Sequence, residues 1–563
     1  MSGSRQVYDA IVIGTGITGG WAAKELTQAG LEVLVLEAGP AVVPDRDYGE
    51  HIPVHEMKFR GMRDRRKQSI NQPVQKECYA CDEVAEKFFV DDLENPYTTA
   101  EGKPFLWIRG RQVGGKSIMW ARQSYRLSDL DFEANARDGF GADWPIRYAD
   151  LEPWYDYVEG FAGISGQAEG LPHLPDGNFL PPMEMSCVEA HVRDSLATTW
   201  GGERTMTIGR TAVLTQPHNG SQACHYCGPC ERGCITRSYF SSLNATLPVA
   251  AATGRMTLRP DSVVRSLLYE DGRTTGALVI DRESHEAIEF SARMVFLCAS
   301  ALESTRILLN SSNEEYTDGL ANSSGALGHY LMDHAMDAGA RATFEGWEDR
   351  TTFGRRPNGV YVARFRNVTD QHPDFLRGYG YQGSARREGW QRGITGGGFG
   401  ADFKQRMAEP GPWTMWLGAF GECLPRYENY VELDPEVVDA WGIPVLKMHI
   451  AWSDNERTMM NDGAIQAAEM LEAAGGKVTE LVTSENLPPP GLTIHEMGTA
   501  RMGRDPATSV LNGFNQSHDI PNLFLVDGAS MASSACQNPS LTYMALTARA
   551  CAYAVEELRR GEL

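Results

Sequence analysis

The sequence is short of positive charge: 74 Asp and Glu stand against 52 Lys and Arg, for a formal net charge of −22. Nucleic acid and anionic membrane surfaces are held by clustered cations, so this balance argues against both as partners and leaves neutral ligands open. Also missing is any run of about 18 apolar residues, which argues against direct membrane insertion. The opening stretch, MSGSRQVYDAIVIG, runs straight into a strand pattern. It has no charged n-region, apolar h-region or small-residue cleavage site, so no export signal is expected within the chain itself. Repeats, low-complexity tracts and long linkers are absent too. Cysteine is present, but not as an evenly spaced disulfide framework: of 11 Cys, four crowd into 224–234 and two stand at Cys78 and Cys81. That distribution reads as one inorganic site plus ordinary thiols, with Cys298 in the apolar run MVFLCAS a core residue.

What is present is an ordinary globular composition, 42% hydrophobic and 22% charged over 563 residues. The length is enough for roughly three to four domain-sized units. Apolar runs over 8–14 and 31–37 flank a helical pattern over 18–30, a strand–helix–strand unit. Residues 40–105 are polar and irregular. A helix with aromatics on one face is expected over 148–163 and another over 454–475. Alternating segments between 260 and 299 and between 340 and 450 (YVARFRNV, YENYVELD, VLKMHIAW) predict strands, the later group an antiparallel sheet. The fold class that follows is α/β, or α+β overall: a Rossmann-like domain and a substrate domain on an antiparallel sheet.

Between the first strand and first helix, Gly14, Gly16 and Gly19 form G-x-G-x-x-G. The first glycine allows the tight turn, the second the approach of a pyrophosphate, and the third close helix–strand packing. The helix N-terminus then presents its positive end to the phosphates. Glu37 ends the next strand, where a carboxylate can hold ribose hydroxyls. The motif points to a dinucleotide without choosing between NAD and FAD.

Other segments carry that choice. RGRQVGGKSIMW (109–120), TIHEMGTARMG (493–503), LFLVDGASM (523–531) and QNPSLTYMALTARA (537–550), together with the glycine motif, resemble the glucose–methanol–choline (GMC) oxidoreductase family at both ends of the chain. The resemblance implies bound FAD and a flavin domain assembled from distant segments: 1–165, 240–315 and 490–563. Residues 166–239 are then a cysteine-bearing insertion and 316–489 the substrate-binding domain. It further implies that Arg111, Gly114, Gly115 and Ser117 form the loop beside the flavin, that backbone near Val263 touches adenine, and that Asp527, Gly528, Asn538 and Thr542 help to hold the cofactor. In the related pyranose oxidases a histidine before the loop tryptophan bonds covalently to FAD. Met119 stands there in this chain, so the FAD is expected to be non-covalent.

Alcohol oxidation requires a base for the hydroxyl proton while hydride leaves, and histidine suits the task because it titrates near neutrality. By the resemblance His495 is that base and Asn538 its partner on the same substrate oxygen. His334, in GHYLMDHAMD, reads either as a site residue or as a structural histidine.

Residues 224–234 read CHYCGPCERGC. Cys224, Cys227, Cys230 and Cys234 have the C-x2-C-x2-C-x3-C spacing of bacterial ferredoxins, with Ile235 in place of the usual proline. Some dehydrogenases of the family hold a three-iron cluster on C-x5-C-x3-C, which Cys224, Cys230 and Cys234 also match. An iron–sulfur cluster, 3Fe-4S or 4Fe-4S, is therefore expected, with Cys227 either a fourth ligand or a free thiol. Zinc shared with Cys78 and Cys81 is the competing reading. A one-electron cluster beside a two-electron flavin favours a dehydrogenase that passes electrons to an outside acceptor such as a cytochrome or quinone.

The overall texture, including PPMEMSCVE and HNGSQACHYCGPCERGCITRSYFSS, is similar to the large subunits of bacterial glucoside 3-dehydrogenases. That branch implies oxidation at C3 of a glucoside, a small subunit with a twin-arginine signal, and periplasmic residence by co-export, with the cytoplasm as the alternative. Tyr379, Tyr381, Gln382, Trp390, Trp413 and Trp416 supply aromatics and an amide of the kind that binds sugars; Tyr381, Gln382 and Trp416 are the substrate candidates. A pyranose oxidase using O2, a dehydrogenase of another polyol or sugar acid, and a non-catalytic electron-transfer subunit are the rival readings.

Overall fold

A computed structural model describes residues 6–563. The chain opens with β1 (Val7–Ile13), α1 (Ile17–Gln28) and β2 (Val33–Leu36). Much later it adds β5 (Met256–Arg259), β8 (Ala287–Leu297) and β16 (Leu523–Leu525) to the same parallel layer, in the order β5-β2-β1-β8-β16. The central strands β1, β2 and β16 and the C-terminal half of β8 are apolar and covered on both faces, as a parallel sheet requires, whereas edge strand β5 is only partly buried. On one face Ala10, Val12, Val35 and Phe296 pack against Ala22, Ala23 and Leu26 of α1 and against Ala550 and Ala554 of the C-terminal helix. The long β8 also leaves the parallel layer at its N-terminal half, where it pairs antiparallel with β7 (Arg273–Asp281), which in turn pairs with β6 (Ser262–Glu270).

The second sheet is antiparallel, in the order β15-β9-β12-β11-β10-β4. Its strands are β4 (Met206–Ile208), β9 (Ala335–Phe344), β10 (Val360–Val362), β11 (Tyr379–Arg387), β12 (Trp413–Gly421) and β15 (Lys477–Val482). Edge strand β4 comes from the segment read as the cysteine-bearing insertion, so that segment also completes this sheet. YENYVELD and VLKMHIAW, expected in the same sheet, instead form β13 (Tyr430–Val438) and β14 (Pro444–His449) of a separate three-stranded sheet with β3 (Thr98–Thr99). Alternation reveals which face of a strand is buried, not which sheet it joins.

Two helices expected from their patterns are α2 (Tyr148–Ala162) and α3 (Asp454–Ala473). Helix α3 begins at a capping box, in which Ser453 N donates to Glu456 Oε2 at 2.6 Å. It lies against β9 and β12, with Gly463 allowing close approach to Ala419. The last helix, α4 (Ser540–Arg560), packs between α1 and α2 and so closes the two ends of the chain onto each other. Among the described residues no helix is long and apolar enough to cross a membrane.

Candidate active site

A cavity of about 510 Å3 runs from the β1–α1 turn to the face of the antiparallel sheet. That is the size range of small-molecule and cofactor sites. At its nucleotide end the three glycines divide their roles by contact. A Cβ on Gly14, at φ +102°, would stand 2.5 Å from Cys298 O, and one on Gly19 only 2.0 Å from Gly14 O. Gly16 faces open space, with no protein atom within 4 Å of such a Cβ. Helix α1 starts there without a side-chain cap or an acidic first turn, so its N–H groups are free for a pyrophosphate. Gly19 itself is a packing residue beneath the turn, outside the cavity lining.

Glu37 lines the same end. Its carboxylate accepts from Thr15 N at 3.1 Å, Thr15 Oγ1 at 2.5 Å and Gly39 N at 3.0 Å, which leaves acceptor capacity toward the cavity. Val263 lines the cavity from β6. Arg111 is held by Asn95 Oδ1 at 2.6 Å and Glu303 Oε1 at 3.0 Å. Gly115 and Ser117 line the middle, where a Cβ on Gly115 would come 3.1 Å from Gly16 Cα. Gly114, at φ +98°, is the turn behind them and donates to Thr15 Oγ1 at 3.0 Å. Asp527 and Gly528 complete the wall; burial pushes Asp527 up to about 6, and it accepts from Ser304 Oγ and Ala529 N. Open glycine backbone, an uncapped helix start and a ribose-facing carboxylate fit the expected FAD. Met119 also lines the cavity. Thr542 does not: its hydroxyl bonds Tyr155 Oη at 2.8 Å inside the α2–α4 contact, a correction to its expected role as a cofactor contact.

At the far end His495, Asn538, Gln382 and Phe420 converge. His334 Nε2 lies 2.9 Å from Ala535 O and 3.2 Å from Ser534 O. Carbonyls only accept, so this nitrogen carries the proton. Neutral His334 then offers a lone pair at Nδ1, 2.9 Å from His495 Nδ1. His495 must donate there, which leaves its Nε2 unprotonated. Burial lowers the pKa of both rings, and for His495 the adjacent His334 ring, which cannot share a second positive charge with it, and the Lys116 charge add to the effect, holding it well below the usual histidine range. Asn538 is oriented in turn: its Oδ1 accepts from Gln382 Nε2 at 2.7 Å, so its Nδ2 faces His495 Nε2 at 3.4 Å. The result is a bare imidazole nitrogen beside an amide donor, able to take a hydroxyl proton while holding the oxygen.

Several residues of this end were not singled out from sequence. Asp333 pins the backbone of the His495 segment by accepting from Gly491 N at 2.7 Å and His495 N at 3.1 Å; burial, with Glu496 beside it, pushes it up to about 7. Lys116 bonds Glu496 Oε2 at 3.0 Å. The only signal for this group was the histidine-and-acid run around His334. Of the substrate candidates, Gln382 is in place. Tyr381, next to it on β11, points the other way, is fully buried and donates to Gly463 O at 2.7 Å, so it is a core residue, a correction that follows from strand alternation. Tyr379 and Trp413 are buried as well, and Trp390 is 63% exposed. Trp416 shares the face of Gln382 but lies outside the cavity lining, under Arg341.

Cys224, Cys227, Cys230 and Cys234 all line one small separate cavity. Cys224 Sγ accepts from Tyr226 N at 3.4 Å, and Cys234 Sγ is 3.3 Å from Thr236 Oγ1. The four thiols share one pocket, but among the described residues no three His, Cys, Asp or Glu side chains are gathered closely enough to hold a metal, so the expected iron–sulfur cluster is not supported by this arrangement. Cys78 and Cys81 sit in a different buried cluster with Phe88 and Ile108 and do not line this pocket. Tyr239 stands between the two cavities: it lines the cysteine pocket, donates to Ile118 O and lies under Arg122, which lines the large cavity.

Residues 8–336 and 425–547 match two family models, each described as GMC oxidoreductase. The chain is 30% identical to 2-methyl-1,2-propanediol dehydrogenase of Mycolicibacterium austroafricanum, over 98% of this chain and 96% of that one. It is 26% identical to the fructose dehydrogenase large subunit of Gluconobacter japonicus over the whole of both chains. It is also 26% identical to C-glycoside 3-oxidase of Arthrobacter globiformis, over 53% of each. A crystal structure of pyridoxine 4-oxidase from Mesorbium loti covers 97% of the chain with a TM-score of 0.63 at 18% identity, a likeness of fold.

Proposed function

Because the chain belongs to the GMC oxidoreductase family, an FAD-binding family, we propose that it is a dehydrogenase oxidising a secondary ring hydroxyl of a sugar or glycoside, at C3 of a glucoside. The observation that carries the reading is the bare His495 Nε2 beside Asn538 Nδ2 in the lining of a cofactor-sized cavity. The substrate hydroxyl donates its proton to His495 Nε2, and Asn538 Nδ2 holds the oxygen as it becomes a carbonyl. His334 and Gln382 keep both groups oriented. Phe420 and the buried wall exclude water. FAD, when bound non-covalently, supplies the hydride acceptor; Gly16, the start of α1, Glu37, Arg111, Ser117 and Asp527 would hold it.

The electron route is proposed on the cysteine spacing and on the shared pocket of the four thiols. A cluster there would supply single-electron exit to a cytochrome or quinone. A small subunit carrying a twin-arginine signal, with residence in the periplasm by co-export, belongs to the same proposal. Full-length similarity to a propanediol dehydrogenase supports a second reading, oxidation of a smaller diol. The test is anaerobic. The purified protein is mixed with methyl glucoside, the flavin absorbance is followed and the product is identified by NMR. Bleaching with a 3-keto product is expected. Bleaching with 1,2-propanediol but not with the glucoside would move the assignment to the second reading.

A further inference from the structure

Asp337 sits on β9 of the antiparallel sheet and lines the same cavity as His495 and Asn538. Strands β9 and β12 lose register there: Met336 pairs with Phe420 and Gly339 with Gly418, so Asp337 and Ala338 together face Ala419 alone. The extra residue, Asp337, takes φ +71°. Left-handed backbone is uncommon outside glycine, and bulges re-aim side chains beside functional sites. Here the bulged residue lines the cavity together with its neighbour Met336, opposite Phe420, and with His495, Asn538 and Gln382.

Four other carboxylates along this cavity have protein partners: Glu37 takes Thr15 and Gly39, Glu303 takes Arg111 and Arg306, Glu496 takes Lys116, and Asp527 takes Ser304; Glu77, on an exposed 3-10 turn that also lines it, is far in sequence from the sheet and takes none among the described residues. Asp337 has no hydrogen-bond or ion-pair partner among the described residues. Its side chain is exposed to solvent, while the protein packed around it raises its pKa. A carboxylate that a ligand would desolvate must gain donors from that ligand, or binding suffers.

We propose that Asp337 is a substrate-binding residue that accepts a hydrogen bond from a second hydroxyl, on the carbon next to the one oxidised, so that the site selects vicinal diols over simple alcohols. The inference rests on the alcohol-oxidising reading above. It fits either a sugar ring or a small diol, because both present adjacent hydroxyls. With His495 Nε2 and Asn538 Nδ2 on the reacting oxygen and Asp337 on its neighbour, the substrate is held at two oxygens.

The test pairs substrate and protein changes. Anaerobic flavin reduction is measured for methyl glucoside and its 2-deoxy and 4-deoxy analogues, and for 1,2-propanediol and 1-propanol. The proteins are the native chain and Asp337→Asn, which keeps the shape and tolerates positive φ. In the native protein, removing the neighbouring hydroxyl should lower the second-order rate about tenfold to a hundredfold, the range for a hydrogen bond to a charged group. Asp337→Asn should lose a similar factor on the parent and little more on the deoxy compound. FAD content and Tm check that the bulge persists, and Asp337→Gly, which keeps the backbone conformation, serves as the second variant. Equal rates in the native protein with and without the neighbouring hydroxyl would overturn the proposal without any variant. So would faster, salt-sensitive reduction by an amino sugar that Asp337→Asn abolishes, since that assigns Asp337 to an ammonium. If no alcohol bleaches the flavin, the oxidoreductase reading falls and takes this assignment with it; loss of diol preference alone refutes only the latter.

Discussion

At the residue scale the chemistry depends on which nitrogen of each imidazole carries a proton. The two carbonyls on His334 Nε2 fix its tautomer, and His334 fixes that of His495. Burial and nearby positive charge hold the His495 pKa well below 6.5. In the proposed reaction the neutral ring is the active form, so lowering its pKa extends activity toward acid. Flavin reduction is expected to stay level below pH 6.5 and to fall only at more acid pH. Lys116→Met removes one of the depressing charges and should move that fall to higher pH; an unmoved profile would separate Lys116 from the base. His495→Ala should retain FAD and slow flavin reduction by roughly 10^2 to 10^4-fold, the range of general-base catalysis. His495 and Asn538 were legible because each sits in a dense local motif. Asp333 and Asp337 were not, and His334 was readable only as either a site residue or a structural histidine, because their placement comes from contacts with segments far away in the chain.

At the element scale β11 shows how alternation divides labour. Gln382 faces the cavity and orients Asn538, whereas Tyr381 faces α3. Gln382→Ala should slow flavin reduction about tenfold with little change in Tm, as the Asn538 amide loses its anchor. Tyr381→Phe should do the reverse: removing a buried hydrogen bond costs about 1–3 kcal/mol of stability, seen as a lower Tm, with flavin reduction unchanged. A substrate-affinity change in Tyr381→Phe would restore it to the substrate site. The sequence marked both as one sugar-binding group, since composition ignores which way a pleated strand points. The β1–α1–β2 unit was legible to within about two residues because both its period and its glycines are local. The β9–β12 bulge was not, because register belongs to the pair of strands.

At the scale of the whole molecule two cavities, one lined by the dinucleotide motif and one by four cysteines, are separated by the contact of Tyr239, on the cysteine side, with Arg122, on the other. For anaerobically purified protein, iron and acid-labile sulfide are expected in about cluster stoichiometry. Cys230→Ser should lower both and the visible cluster absorption, while FAD content and substrate-driven flavin bleaching persist. Zinc without iron in the native protein would replace the cluster with a structural metal. By itself the sequence determined the glycine-rich turn, the motifs that carry His495 and Asn538, the cysteine spacing and the α/β class, because each is written in short runs whose period or spacing has a direct physical meaning. Tertiary structure alone decided that β4 completes the substrate sheet, that β13 and β14 leave it, that Thr542 and Tyr381 turn away from the cavity, and that Asp337 lines it. Those outcomes depend on which distant surfaces bury one another, and packing partners leave no periodic trace in a single chain.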